Sequence, residues 1–148
     1  MKPLFVLLVS FGLAIFTMKV FTHQVDFPMA GRIAMSVMLL FTAIGHFAFP
    51  RGMMMMLPPF ISFRLALVYI TGIIEIMAAI GLQIPNLRNL TAVLLIIFFI
   101  LIIPANIYAA AKHIDYQKGG NDGQGLQYLW FRIPLQILFI FWTWMSIQ

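Results

Sequence analysis

The sequence contains no cysteine among its 148 residues. Disulfides, thiolate nucleophiles, cysteine-ligated zinc and iron–sulfur clusters are therefore excluded within this chain. Any redox chemistry that the protein serves must be carried by a bound small molecule or by a partner protein. The sequence also lacks a phosphate-binding loop, a nucleophile elbow and a His-Glu-x-x-His pattern, and it predicts no metal site.

Charged residues are scarce as well, at 9% of the chain against 63% hydrophobic residues. A soluble domain carries about 25% charged residues, so the composition predicts an integral membrane protein with the lipid bilayer as its surroundings. The formal net charge is +5, but the lysines and arginines are scattered along the loops. That pattern is typical of helix ends that meet lipid headgroups and argues against nucleic-acid binding, which needs a concentrated basic stripe.

Five apolar runs divide the chain, each of about 17–23 residues and long enough to cross the hydrocarbon core as a helix. They cover residues 4–20, 30–49, 65–84, 89–111 and 130–147. The sequence therefore predicts an all-α, multi-pass membrane protein with a single domain. The first run is also compatible with a signal peptide, but no small-residue cleavage site follows it, so retention of residues 1–22 as a transmembrane helix is favoured over cleavage.

Glu75 is the only carboxylate within any of these runs. It lies near the middle of the third run, where a charge costs at least about 2.5 kcal/mol. An ionisable residue at that depth is by default a functional-site hypothesis with a partner to be named. Glu75 is therefore the first candidate for a binding or catalytic role.

Other polar side chains are predicted to lie in the same leaflet as Glu75. The helices alternate in direction, so these side chains meet towards the end of the bundle that carries residues 50–63, here called the Met-loop side. Facing one another lets them share hydrogen bonds that lipid does not supply. The predicted pocket residues are His46, Glu75, Asn106, Arg132 and Gln136, with Thr42 and Thr71 as secondary candidates one helical turn before His46 and Glu75.

A structural interpretation of the same residues remains open. Interhelical polar contacts often only hold helices together, at about 0.6 kcal/mol each, and Arg132 is close enough to a helix end to extend to the headgroups. Taken alone, Gln136 is best interpreted as such a contact, whereas Glu75 favours a site. The four consecutive methionines at residues 53–56 are interpreted as an interfacial segment rather than a copper site, because consecutive side chains on a helix point in different directions.

The segments that carry these polar residues resemble the DoxX-like family of small bacterial membrane proteins. They are TAIGHF at residues 42–47, YITGIIEI at 69–76, IPANIY at 103–108 and RIPLQ at 132–136. The resemblance runs from about residue 31 to about residue 144. It implies a four-helix transmembrane bundle at residues 30–148, preceded by an additional N-terminal helix and link at residues 1–29, in the bacterial cytoplasmic (inner) membrane.

DoxX proteins are associated with a thiosulfate:quinone oxidoreductase and with membrane redox complexes, although most have no assigned activity. The resemblance therefore implies a redox-associated accessory subunit that binds a quinone or similar amphiphile and acts with a membrane redox partner. A distant likeness to emopamil-binding-protein-like bundles implies the alternative of a lipid- or sterol-binding protein or isomerase. A third alternative is a structural or assembly subunit without a ligand, held by a buried Glu75–Arg132 pair. Enzymatic activity and homo-oligomerisation are left open.

Overall fold

Seven α-helices make up most of the protein in the computed structural model, which describes residues 2–123 and 125–148. The helices are α1 (Lys2–Thr22), α2 (Phe27–Ala48), α3 (Pro50–Met55), α4 (Arg64–Gly81), α5 (Arg88–Leu101), α6 (Ile103–Ala111) and α7 (Leu129–Met145). Among the described residues, β-pairing is limited to one isolated bridge between Asp115 and Gly120. The predicted all-helical fold is confirmed.

Four helical segments in the described part of the chain are long and apolar enough to cross a membrane. They are Lys2–Thr22, Phe27–Ala48, Arg64–Gly81 and Arg88–Ala111, the last of which joins α5 and α6. The fifth predicted run forms α7, which is shorter at 17 residues and follows a 3-10 turn at Gly125–Tyr128. All five runs are therefore helical, and four of them have the length and composition of a membrane span.

Local sequence explains where the helices begin and break. Asp26 caps α2, since its carboxylate accepts a hydrogen bond of 2.8 Å from the backbone N–H of Met29. Pro104 separates α5 from α6, because proline has no N–H to donate and its ring clashes with the preceding turn. Pro50 starts α3, so the first part of the segment predicted as a loop at residues 50–63 is a short helix.

The core lies around α2, which packs mainly against α1 and α4. Its buried side chains come from five helices and include Leu7 of α1, Leu39 of α2, Ala78 of α4, Leu95 of α5 and Phe139 of α7. The outer surface is also apolar: it carries large aromatic side chains such as those of Phe60, Phe63 and Trp130, which are 84%, 84% and 87% exposed.

Gly72 sets the distance between α2 and α4. A Cβ atom at this position would lie 2.8 Å from the Cβ of His46, closer than real Cβ contacts, and 3.2 Å from a ring atom of Phe47. The absence of a side chain therefore lets the two helices approach at the level of His46. Glu75 lies three residues further along α4, on the same face as Gly72, so the same approach brings its carboxylate beside His46.

Gly72→Ala is expected to force α2 and α4 apart and to destabilise the protein. Gly12→Ala in α1 is the matched control, since a Cβ there would meet nothing within 4 Å. Both changes gain the same helix propensity, so the difference between them isolates the clash. Thermal or denaturant unfolding should show a free energy of unfolding about 1–3 kcal/mol lower for Gly72→Ala than for Gly12→Ala. Equal stability of the two variants would contradict this account of the α2–α4 contact.

Candidate functional site

A cavity of about 770 Å³, partly open to the outside, lies on the Met-loop side of the bundle. Its wall is mostly apolar and includes Ile44, Val68, Ile74, Phe98 and Leu101. Set into this wall is a group of polar side chains from several helices: Lys2, Thr42, His46, Thr71, Glu75, Asn106, Tyr116, Gln117 and Arg132. The structure thus brings His46, Glu75, Asn106 and Arg132 to one cavity, together with both secondary candidates.

Glu75 is the most buried ionisable group on this cavity, at 6% exposure. Its Oε1 lies 3.6 Å from His46 Nε2, an ion-pair contact longer than a hydrogen bond. Its Oε2 is buried and has no hydrogen-bond partner among the described residues. Leaving a buried acceptor unsatisfied costs about 1–3 kcal/mol, and more for a charged group. The carboxylate therefore has an oxygen in need of a hydrogen-bond donor.

The ring of His46 is oriented by the backbone of α4. His46 Nδ1 lies 2.9 Å from the carbonyl oxygen of Val68 and 3.1 Å from Thr71 Oγ1. Because a carbonyl oxygen can only accept, Nδ1 carries the hydrogen and donates it. The other ring nitrogen, Nε2, is thereby turned towards Glu75. Such fixing of one nitrogen is how proteins set which histidine nitrogen exchanges a proton.

His46 and Glu75 are placed to exchange a proton with one another. With Nδ1 donating to Val68, Nε2 is the ring nitrogen that faces the carboxylate and is available for this exchange. A movement of about 0.7 Å would bring Nε2 and Oε1 from the observed separation to hydrogen-bonding distance. The pair therefore has the composition and placement of a proton-accepting site at the wall of an apolar cavity.

Arg132 and Asn106 add hydrogen-bond donors to the same cavity. The Arg132 guanidinium carbon lies 5.4 Å from the ring centroid of Tyr128, a cation–π contact near the start of α7. The Asn106 side chain is half-buried and makes no hydrogen bond within the described part of the chain. The structure pairs Glu75 with His46 rather than with Arg132, so the buried Glu75–Arg132 pair of the structural interpretation is not formed.

Gln136 lies apart from the other predicted pocket residues. It is buried, at 7% exposure, and is not part of the cavity wall. Its Nε2 donates a hydrogen bond of 2.9 Å to the carbonyl oxygen of Phe99. This contact joins α7 to α5 near the break between α5 and α6, as expected of a structural interhelical contact.

The mouth of the cavity includes residues that sequence reasoning missed. Lys2 Nζ donates a hydrogen bond of 3.3 Å to Gln117 Oε1, which connects the start of α1 to the loop before α7. Both residues lie outside the apolar runs, where depth along a helix gives no signal. Met53 and Met56 also line the cavity. Their spacing of three residues is typical of one helix face, and it is the only sequence signal that could have indicated that they share a surface.

Fold and site together define an all-helical bundle with a polar group of side chains set into the wall of a mostly apolar, partly open cavity. The chain belongs to the family described as Domain of unknown function (DUF8561), whose model matches residues 35–147. The matched range includes His46, Glu75, Asn106 and Arg132, and it leaves out α1. No curated protein and no solved structure matches the chain.

Gln136→Leu is expected to weaken the fold without changing the cavity. The substitution removes the hydrogen bond to Phe99 and leaves that carbonyl unpartnered, so the free energy of unfolding should fall by about 1 kcal/mol. Unfolding experiments on the wild type and the variant would measure this difference. A variant that has the same free energy of unfolding as the wild type but no longer binds a ligand in the cavity would contradict the structural role given to Gln136.

Proposed function

We propose that the chain is a multi-pass protein of the bacterial cytoplasmic membrane whose cavity binds an amphiphile with a quinone or quinol headgroup. In this proposal it serves as a redox-associated accessory subunit, in keeping with its resemblance to the DoxX-like family. The observation that carries the proposal is the unpartnered Oε2 of Glu75, buried beside His46 at an otherwise apolar cavity.

The surface of the bundle supports placement in a membrane. Large apolar side chains cover the outside of every long helix, among them those of Phe16, Ile44, Met77, Leu90 and Phe141. A soluble monomer rarely exposes apolar patches of more than a few hundred Å². In a bilayer the same surface needs no further partner, and the helical backbone satisfies its own hydrogen bonds.

The polar groups of the cavity suit a headgroup that both donates and accepts hydrogen bonds. A quinol hydroxyl can donate to Glu75 Oε2, and a quinone carbonyl can accept from Asn106, Arg132 or Lys2. The apolar wall then surrounds the ring and its hydrocarbon chain, and a volume of about 770 Å³ lies within the range of cavities that hold small ligands, about 300–1,000 Å³.

The proton chemistry of a quinol can be served by this chain, whereas its electron chemistry cannot. Glu75 accepts a proton from a bound hydroxyl, and His46 exchanges it with the carboxyl group through Nε2. Oxidation of a quinol to a quinone releases two protons and two electrons, and the two protons leave through Glu75 and His46 one after the other. Since the sequence has no cysteine and no redox motif, the electrons pass to a redox centre of a membrane partner subunit.

A second candidate is binding of a sterol-like or cationic amphiphile, with Glu75 or His46 moving a proton in an isomerase-type reaction. The buried carboxylate favours it, because a cation would satisfy Oε2. The other charges on the wall oppose it, since Lys2 and Arg132 would repel a cationic headgroup in the same cavity. A neutral headgroup therefore fits the charges better.

The test is ligand binding to protein in nanodiscs that retain native lipids, using Glu75→Gln and, as a matched control, Gln136→Leu. Mass spectrometry would identify small molecules that co-purify with each protein, and a short-chain quinol and its quinone would then be titrated. We expect Glu75→Gln to weaken quinol binding about tenfold through loss of a charged acceptor, with a smaller effect on the quinone. Gln136→Leu should bind both forms normally.

Each outcome distinguishes between the functions. Equal quinol binding by wild type and Glu75→Gln would overturn the proposed role of the carboxylate. A cationic amphiphile that binds in a Glu75-dependent manner, where quinol does not bind, would favour the second candidate. If the same lipids co-purify with wild type, Glu75→Gln and Gln136→Leu, and none of the three binds the quinol or the quinone, a structural or assembly subunit is favoured.

A further inference from the structure

Two arginines meet at the end of the bundle opposite the cavity. Arg32 lies in the second turn of α2, and Arg88 is the first residue of α5. Their helices are joined at this level through the end of α4: Ser36 Oγ donates 2.7 Å to the carbonyl oxygen of Ala79, and Gly81 packs directly against Thr91. Ser36 and Thr91 each follow one of the arginines by about one turn, so both arginines lie in the same outer layer.

Neither arginine is fully satisfied by the protein. Arg32 is buried, at 8% exposure, and its Nη1 donates a hydrogen bond of 2.8 Å to the carbonyl oxygen of Ser146. The Nε atoms of Arg32 and Arg88 are both buried and have no hydrogen-bond partner among the described residues. An arginine that merely extends to the headgroups turns outward from its helix, whereas Arg32 is enclosed by neighbouring helices.

The charges at this end do not balance. Arg32 and Arg88 are near enough to repel one another, and Asp26 is the acidic group that attracts Arg32. The Asp26 carboxylate already accepts the hydrogen bond that caps α2. Neither arginine forms an ion pair within the described ranges 2–123 and 125–148, and Lys19 at the end of α1 adds a further positive charge. The buried guanidinium of Arg32 and the partly buried one of Arg88 therefore lack a counter-anion among the described residues.

We propose that Arg32 and Arg88 form a binding site for a phosphate group at this end of the bundle. Guanidinium groups match phosphate oxygens with paired N–H donors, and they do so better than ammonium groups. Two guanidinium groups at the same end of the bundle, on helices that both pack against the end of α4, can share one phosphate, which cancels their repulsion. The phosphate can come from an anionic phospholipid or from a free anion. This site does not depend on the proposed quinone binding. Only the phospholipid as a source of the phosphate depends on placement of the protein in a membrane.

The test compares the melting temperature of wild type and Arg88→Gln in two kinds of nanodisc, one of phosphatidylcholine and one with added phosphatidylglycerol. The wild type should melt about 3 °C or more higher with the anionic lipid, and Arg88→Gln should lose that rise. In phosphatidylcholine alone, the variant should melt at or above the wild-type temperature, because removing one arginine relieves the repulsion. Lys19→Gln, an exposed cation at the same end, is the control and should keep the rise.

A titration with inorganic phosphate in phosphatidylcholine nanodiscs separates the two sources. If phosphate raises the melting temperature of wild type but not of Arg88→Gln, the site takes a free anion; if only phosphatidylglycerol does so, it takes a lipid headgroup. The proposal is overturned if Arg88→Gln keeps the full rise with phosphatidylglycerol, or if neither source stabilises the wild type. It is also overturned if the variant is destabilised equally in both lipids, since Arg88 would then be purely structural.

Discussion

The burial of Glu75 beside His46 is the constraint on which the candidate site depends. A carboxylate at 6% exposure is tolerable only where something compensates for the loss of solvent, and the protein provides one partner, on one oxygen. That partner is positioned indirectly: Gly72 lets α2 approach α4, and the Val68 carbonyl then turns the imidazole towards the carboxylate. The site is thus a property of the α2–α4 contact as a whole rather than of the two ionisable residues.

The same helix pair also organises the opposite half of the bundle. Ser36 Oγ donates to the carbonyl oxygen of Ala79 and accepts from Gln83 Nε2 at 2.8 Å, so this polar contact between α2 and α4 is complete. The difference between the two halves is informative. Where the protein satisfies its own polar groups, as at Ser36, the contact is fully accounted for as a structural contact between helices. Where buried atoms of Glu75 and Arg32 have no partner among the described residues, the ligands proposed above would supply the missing hydrogen bonds.

Depth and helical spacing account for how much of this could be predicted from the sequence. Apolar runs located every long helix, and a single mid-run carboxylate located the cavity level, so His46, Glu75, Asn106 and Arg132 were brought together correctly. Gln136 does not line the cavity, because spacing on α7 relates it to Arg132 but does not say how far the shared face stays on the cavity. Its hydrogen bond to Phe99 is the kind of structural contact that the residue predicts when it is taken alone. The Lys2–Gln117 contact could not be predicted, since it joins positions 115 residues apart that lie outside the apolar runs.

The charges of the cavity limit the ligands that it can hold. Lys2 and Arg132 place two cations on the wall against the one carboxylate of Glu75, so the wall carries excess positive charge even when His46 is neutral. A cationic headgroup would be attracted by Glu75 but repelled by Arg132 and, more weakly, by the exposed Lys2. A fully anionic headgroup would satisfy the cations but face the unpartnered oxygen of Glu75. A neutral headgroup that can both donate and accept hydrogen bonds satisfies both, and the quinol of the proposed function meets this condition because each of its two hydroxyl groups does both.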